Sequence, residues 1–367
     1  MPVSVPFLDL VQSYGDGEKI AVTCATVAQS GWYILGPEVA AFEREFAAYC
    51  GAAHGVGVGN GLDALRLLLL ASDIGPGAEV IVPANTYIAT ILAITQTGAT
   101  PVLVEPALAT LNLDPARVEA AISPHTRAML AVHLYGNPAA MVELQAIASR
   151  HDLLLFDDCA QAHGATIGSQ RLGSLSNGSG FSFFPTKNLG CLGDGGAVTT
   201  NDGKLAERLR CLRNYGSQRK YYNQLAGWNS RLDELQAAIL RQRLPHLDQR
   251  NAERRRLAQV YIEALQELPL QLLPYNPQSV YHLLPVLCRD RDSLQAFLKE
   301  RGIATMIHYP LPPHQQDCYR HCAWAQRSLP LTEAIAQQEL SLPLYPGLTD
   351  AQQTYVIEQI RAFYFGP

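Results

Sequence analysis

Between residues 36 and 201 the apolar positions change period again and again. Pro37 opens a stretch in which Val39, Phe42, Phe46 and Tyr49 recur at three- and four-residue spacing. That spacing describes a helix with one apolar face, and proline suits its first position because the missing N–H would be unpaired there anyway. Short apolar, often β-branched runs lie at 55–58, 79–82, 101–104, 128–133, 153–158, 180–184 and 197–200, and each reads as a strand. Helical periodicity separates most of them, at 62–72, 86–97, 114–122 and 139–151. Alternation of this kind predicts an α/β fold whose mainly parallel sheet is covered on both faces. Ligands of such sheets gather at the carboxyl ends of the strands.

Past Arg231 the pattern changes. A helix over 231–243 turns Leu232, Leu235, Ala238, Ile239 and Leu240 inward, Pro245 breaks it, and a charged helix follows over 249–265. Segments 281–288, 291–301, 303–308, 331–340 and 349–363 then suggest a smaller α+β unit. The expected division is a large ligand-binding domain over 1–245 and a small C-terminal domain over 246–367.

Composition narrows the classes. With 48% hydrophobic residues, 17% charged and a net charge of −5, the 367-residue chain is ordinary for a globular protein with a large core. It carries no basic run, so no nucleic-acid partner is expected. Its longest apolar stretches, such as 67–71, are far too short to span a bilayer. The first residues show no charged region followed by an apolar one, and eight scattered cysteines do not form a disulfide framework. A cytoplasmic protein is the expectation.

Candidate chemistry centres on Lys187, alone among apolar and small residues in Phe183-Phe184-Pro185-Thr186-Lys187-Asn188-Leu189-Gly190. An ammonium against apolar neighbours loses hydration, its neutral amine is favoured, and such an amine condenses with an aldehyde. Upstream, the strand Leu153-Leu154-Leu155-Phe156-Asp157-Asp158 ends in two carboxylates. An acid there could cap a helix or bind a metal. Paired with a lysine on a later strand it suits pyridoxal phosphate, whose ring nitrogen stays protonated beside a carboxylate. Asp158 is the expected partner, with Asp157 pointing away. The run Gly55-Val56-Gly57-Val58-Gly59-Asn60-Gly61-Leu62 offers a strand, a tight turn and a helix start whose N–H groups at Gly61 and Leu62 suit a phosphate. It is no dinucleotide fingerprint, because Asn60 and Leu62 stand where the third glycine would be needed.

Taken together, Asn60-Gly61, Asp158 through Gly164, Ser182 through Lys187 and Gly227-Trp228-Asn229-Ser230-Arg231 resemble the DegT/DnrJ/EryC1/StrS family of sugar-nucleotide aminotransferases. The likeness extends from Gly31–Pro37 to Ser341–Leu344. It implies a fold-type I pyridoxal-phosphate enzyme, a homodimer with active sites at the subunit interface, and pyridoxamine phosphate as the amino-carrying form of the cofactor. By this resemblance Lys187 bonds the cofactor aldehyde and Asp158 holds the pyridine nitrogen. Gln161 places its amide at the phenolic oxygen, Tyr87 stacks on the ring and Ser182 binds the phosphate. Asn229 is the phosphate ligand donated by the neighbouring subunit. Leu62 departs from the many relatives with Thr or Ser, so a hydroxyl contact is absent there while the N–H remains.

Within the family the chain looks most like enzymes that aminate C3 of dTDP-3-keto-6-deoxyhexoses, with L-glutamate as donor. Thr305 through Gln315 carries that likeness, supported by Asn214–Ser217 and Lys220-Tyr221. Lys220, His308, Tyr309 and Tyr33 are the implied substrate contacts. Amination at C4 of a 4-keto sugar and a non-catalytic cofactor-binding regulator are the alternatives. Dehydratase relatives carry histidine in place of the lysine, and this chain keeps Lys187. His314, Cys318, His321 and Cys322 invite a zinc reading but lack a paired C-x-x-C hook, so no metal is expected.

Overall fold

Successive residues of a strand face opposite sides of its sheet, and here both sides are covered. The computed structural model describes residues 4–366. Its main sheet holds β1 (His54–Val58), β2 (Glu79–Pro83), β3 (Thr100–Val104), β4 (Thr126–Val132), β5 (Leu154–Asp158), β6 (Gly178–Ser182) and β7 (Gly196–Thr200). They lie in the order β1-β7-β6-β5-β4-β2-β3. Neighbours from β3 across to β6 are parallel, while β7 runs antiparallel to both β6 and β1. On one face Val80, Val82, Leu130 and Phe156 pack against Leu65, Leu68 and Ile91 of helices Gly61–Ala71 and Ile88–Thr95. On the other, Ile81, Met129 and Leu155 meet Leu144 and Ile147 of helix Met141–His151. This is the α/β architecture expected from the alternating periods.

Helix Pro37–Cys50 starts at its proline, and its Phe42 and Phe46 meet Phe181 and Phe183 edge to face. Its free N–H groups are capped from afar. The buried Glu234 carboxylate accepts from Gly36 (2.8 Å), Glu38 (2.8 Å) and Val39 (2.9 Å).

Several elements differ from expectation. The helix expected over 86–97 is shorter, Ile88–Thr95. The one expected over 114–122 is a single turn, Pro115–Val118, followed by a 3₁₀ turn at Glu119–Ala121. Helices Leu10–Tyr14, Gly17–Ser30 and Gly203–Leu212 were not anticipated. The second buries only Ile20 and Val27, too little to leave a periodic signal.

A second core gathers around a small antiparallel sheet of β8 (Gln271–Leu272), β9 (Leu284–Leu287) and β10 (Glu339–Leu342). Helices Leu247–Leu265, Arg291–Glu300 and Asp350–Phe365 cover it, with Tyr261, Leu294, Val356 and Ile360 fully buried. Leu340 and Leu342 of β10 face this core, so Glu339 and Ser341 face the other way. The segment 303–308 is not a strand; Met306 makes one bridge to Ser341. Val5 pairs with Ile303 and is buried in the same core. Among the described residues no helix is long and apolar enough to cross a membrane.

Candidate active site

The parity of β5 decides where its two acids point. Asp158 shares a face with Phe156, the side covered by the two helices Gly61–Ala71 and Ile88–Thr95, and Asp157 shares the opposite face with Leu155. Asp158 accepts from the Thr90 hydroxyl (2.8 Å) and the Ala160 N–H (3.0 Å). Burial raises its carboxyl above the usual range, and those two donors and Lys187 only partly pull it back. Asp157 is fully buried against His133 Nε2 (3.1 Å) and the Ser176 hydroxyl (2.6 Å). Burial pushes its carboxyl up, but these partners outweigh it and hold it below the usual range. His133 Nδ1 accepts from the Ala139 N–H (2.9 Å), so Nε2 carries the ring proton toward Asp157.

Asp158 and Lys187 line one cavity of about 890 Å³ at the carboxyl edge of the sheet, with Gly61, Leu62, Tyr87, Gln161, Ser182, His308 and Tyr309. Burial lowers the Lys187 ammonium to about 8, against the opposing pull of the Asp158 carboxylate. At the cavity's other end helix Gly61–Ala71 begins. The Asn60 side chain takes the Asp63 N–H (2.8 Å) and leaves those of Gly61 and Leu62 free of intrahelical acceptors. Gly61 is required by close approach, since a Cβ there would lie 2.6 Å from the Ser182 Cβ. Tyr87 is half exposed, and its ring lies 4.9 Å from that of Tyr309 at 35°. Gln161 donates to the Tyr309 hydroxyl (3.1 Å) and accepts from the Tyr135 N–H (2.5 Å).

These groups fit pyridoxal phosphate. The cavity has a depressed lysine, a buried carboxylate fixed by two donors, aromatic rings and a helix start beside the Ser182 hydroxyl. Three of the expected residues stay outside it. Asn229 is exposed and bridges Asn214; Lys220 lies over the Tyr221 ring at 5.1 Å; and exposed Tyr33 donates to the Ala28 carbonyl (3.1 Å). His314 pairs with Glu333 (3.2 Å) rather than with the nearby cysteines.

Sequence reasoning missed the side chains that hold this wall in place. Thr90 gives no signal beyond a helix start. Tyr14 donates to the Lys187 carbonyl (3.1 Å) and accepts from the Gly190 N–H (2.9 Å), with the Arg243 guanidinium 3.6 Å over its ring. Asn188, next to the lysine, donates to Asn251 Oδ1 (2.9 Å) and the Val280 carbonyl (3.0 Å). Glu339 and Ser341 stand behind His308. All of these contacts join residues far apart in the chain.

Fold and site together define an aminotransferase of the aldehyde-cofactor type. The profile of the DegT/DnrJ/EryC1/StrS aminotransferase family matches residues 15–361, and the chain belongs to that family. It is 52% identical over 361 residues to the dTDP-3-amino-3,4,6-trideoxy-alpha-D-glucose transaminase of Streptomyces venezuelae, covering 97% of this chain and 95% of that protein. It is 50% identical over 362 residues to the dTDP-3-amino-3,6-dideoxy-alpha-D-galactopyranose transaminase of Aneurinibacillus thermoaerophilus, covering 98% and 99%. The crystal structure of S. venezuelae DesV in complex with a ketimine intermediate superposes with a TM-score of 0.96, at 51% identity over 99% of both chains.

Proposed function

We propose that the protein transfers the amino group of L-glutamate to C3 of a dTDP-3-keto-6-deoxyhexose, giving a dTDP-3-amino-3,6-dideoxyhexose and 2-oxoglutarate. The observation that carries this reading is the shared cavity of Lys187 and Asp158, set beside relatives of about 50% identity that are 3-amino-sugar transaminases. Bound there, pyridoxal phosphate supplies an aldehyde and an electron sink through which an amino group passes from donor to acceptor carbonyl.

Lys187 Nζ would hold that aldehyde and, once released by an incoming amine, would serve as the general base for the donor's Cα proton. Burial keeps it neutral enough to do so. Asp158, fixed on β5 by Thr90 and Ala160, would keep the proton on the ring nitrogen. The N–H groups of Gly61 and Leu62 and the Ser182 hydroxyl bind the phosphate. Tyr87 would cover the ring and Gln161 would hold its phenolic oxygen, while His308 and Tyr309 would meet the sugar. A homodimer accounts for Asn229, Lys220 and Tyr33, which are exposed in one chain and would complete the site of a second copy. The division into domains 1–245 and 246–367 is supported by the separate core after residue 245, which the N-terminal Val5 also joins. We place the enzyme in the cytoplasm, where thiols stay reduced; its eight cysteines are free.

Purified protein incubated with glutamate and each of the 3- and 4-keto dTDP sugars tests this reading. Amination of the 3-keto acceptor, read by mass spectrometry, is expected; turnover of the 4-keto sugar alone overturns the choice of carbon. Mixing inactive Lys187→Ala and Asn229→Ala chains should restore activity, through dimers that keep one intact site. No recovery speaks against a shared site.

A further inference from the structure

Glu339 is the least expected side chain near the cavity: a fully buried carboxyl at the first position of strand β10. Residues two apart on a strand share a face, which sets Ser341 beside it. The Ser341 hydroxyl is 2.5 Å from Glu339 Oε1 and 2.9 Å from His308 Nδ1. Glu339 Oε2 accepts the His308 backbone N–H at 2.5 Å, and Met306 bridges Ser341, so the loop carrying His308 is fastened to this strand at three points. His308 lines the cavity, and its Nε2 has no hydrogen-bond partner among the described residues.

We propose that Glu339 and Ser341 are positioning residues that set the tautomer of His308, the three side chains forming a relay that passes one proton to or from His308 Nε2 at the cavity wall. The inference rests on the reading that His308 meets the sugar. The proton count allows two arrangements. With three protons on the relay, neutral Glu339 donates to Ser341, Ser341 donates to Nδ1, and Nε2–H faces the cavity as a donor. When Nε2 gives its proton to a base in the cavity, water or a basic oxygen of the sugar, the Ser341 proton moves to Nδ1 and the Glu339 proton to Ser341. Nδ1–H then donates to Ser341, Ser341 donates to the Glu339 carboxylate, and Nε2 becomes an acceptor. No other co-reactant is needed.

The surroundings suit a relay that titrates in the working range. Burial raises Glu339 to about 8, opposed by Ser341, the His308 N–H and Arg291. Burial and then Lys187 hold His308 at about 4, so its ring carries one proton in either arrangement. Tyr135 and Tyr309 also face Glu339, and His282 faces His308. Both tyrosines are pushed up by burial and stay neutral. Burial, with Lys187 and Arg254, drives His282 well below the ordinary histidine value. Lys187, also at about 8, would be engaged by the cofactor in the holoenzyme, which leaves Glu339 as the group among these neighbours to titrate near neutral pH.

The test is the ¹⁵N spectrum of histidine-labelled holoenzyme from pH 6 to 10, with the His308 signals identified by their loss in His308→Gln. The expected result is an Nε2-protonated ring that converts to the Nδ1-protonated form as pH rises through about 8. Glu339→Gln keeps the shape; its amide oxygen stays as acceptor for the His308 backbone N–H, which turns its NH2 toward Ser341 as a donor, so His308 should stay Nε2-protonated throughout. The limb near that pH in the kcat/KM profile for the sugar should vanish in the same variant. A single tautomer across the range in the unaltered protein overturns the proposal, as does a Glu339→Gln variant that titrates like its parent. Because the tautomer is read without sugar, failure to aminate a 3-keto sugar would count against the substrate reading alone.

Discussion

Replacing Asp158 by Asn removes a charge from the cavity while keeping its shape, and the consequence for Lys187 can be worked out in sign and size. The carboxylate is the one influence that holds the lysine up against burial. An opposite charge at close range shifts a titration by about 1–3 units, each unit being about 1.4 kcal/mol. In Asp158→Asn the Lys187 ammonium should therefore fall from about 8 by about one unit or more. The amide can still accept from the Ala160 N–H and donate to Thr90, so the fold should be little disturbed. Labelling of Lys187 in cofactor-stripped protein by an amine-reactive reagent, followed by peptide mass spectrometry between pH 6 and 10, reads the shift. Below its titration point the lysine is a protonated non-nucleophile; above it the amine reacts. The variant's labelling midpoint should move to lower pH. Amino transfer should move the other way, because losing one partner of a buried charge pair costs about 3–5 kcal/mol, or roughly 10²–10⁴ in kcat/KM. A midpoint that stays put or rises would refute the claim that the two groups share one electrostatic environment.

Three further substitutions probe the scaffold. Glu234→Ala removes the acceptor of three N–H groups at the start of helix Pro37–Cys50; a loss of about 3–5 kcal/mol is expected in denaturant titration, less than three times the about 1.5–3 kcal/mol of a single bond to a charged group because water reaches part of the freed helix end. A loss below about 1 kcal/mol would mean that water replaces the carboxylate without penalty. Tyr14→Phe keeps the ring under Arg243 but loses both hydrogen bonds to the lysine loop. At about 0.5–1.5 kcal/mol each, hydrogen exchange of the Gly190 amide should accelerate roughly tenfold; unchanged protection would show that the loop holds itself. Gly61→Ala places a methyl 2.6 Å from Ser182 Cβ, so helix and β6 must separate. Cofactor release, followed by absorbance during dialysis, should quicken at least about tenfold, the equivalent of about 1.4 kcal/mol.

Much of the main sheet could be read in advance because its strands are buried on both faces, which leaves unbroken apolar runs such as Val80–Val82 and Leu154–Phe156. Asp157 and Asp158 stood out for the same reason, as polar residues ending an apolar strand. Helix Gly17–Ser30 was invisible, because two buried side chains in fourteen residues leave no period. Helix Gly203–Leu212, capped by Asp202, was also missed, although it follows directly after β7. The failure over 303–308 has a different cause. Met306 and Ile307 look like strand residues, but this stretch serves to carry His308 and Tyr309 into the cavity. Local pattern could not show that Glu339 and Ser341 stand behind His308, because proximity across 31 and 33 residues is a product of folding. Tyr33, Lys220 and Asn229 carry family signals but lie on the surface of the chain, outside the cavity.

The N-terminal strap also bears on the order in which the protein is made. Val5 and Tyr14 leave the ribosome well before their partners, Ile303 and the 187–190 loop. Contacts so distant in the chain close late, after the entropy of the intervening loop has been overcome. The bench on which Lys187 sits therefore stays unfinished until both cores have formed and come together, which makes a competent amine at that position a late report on their assembly.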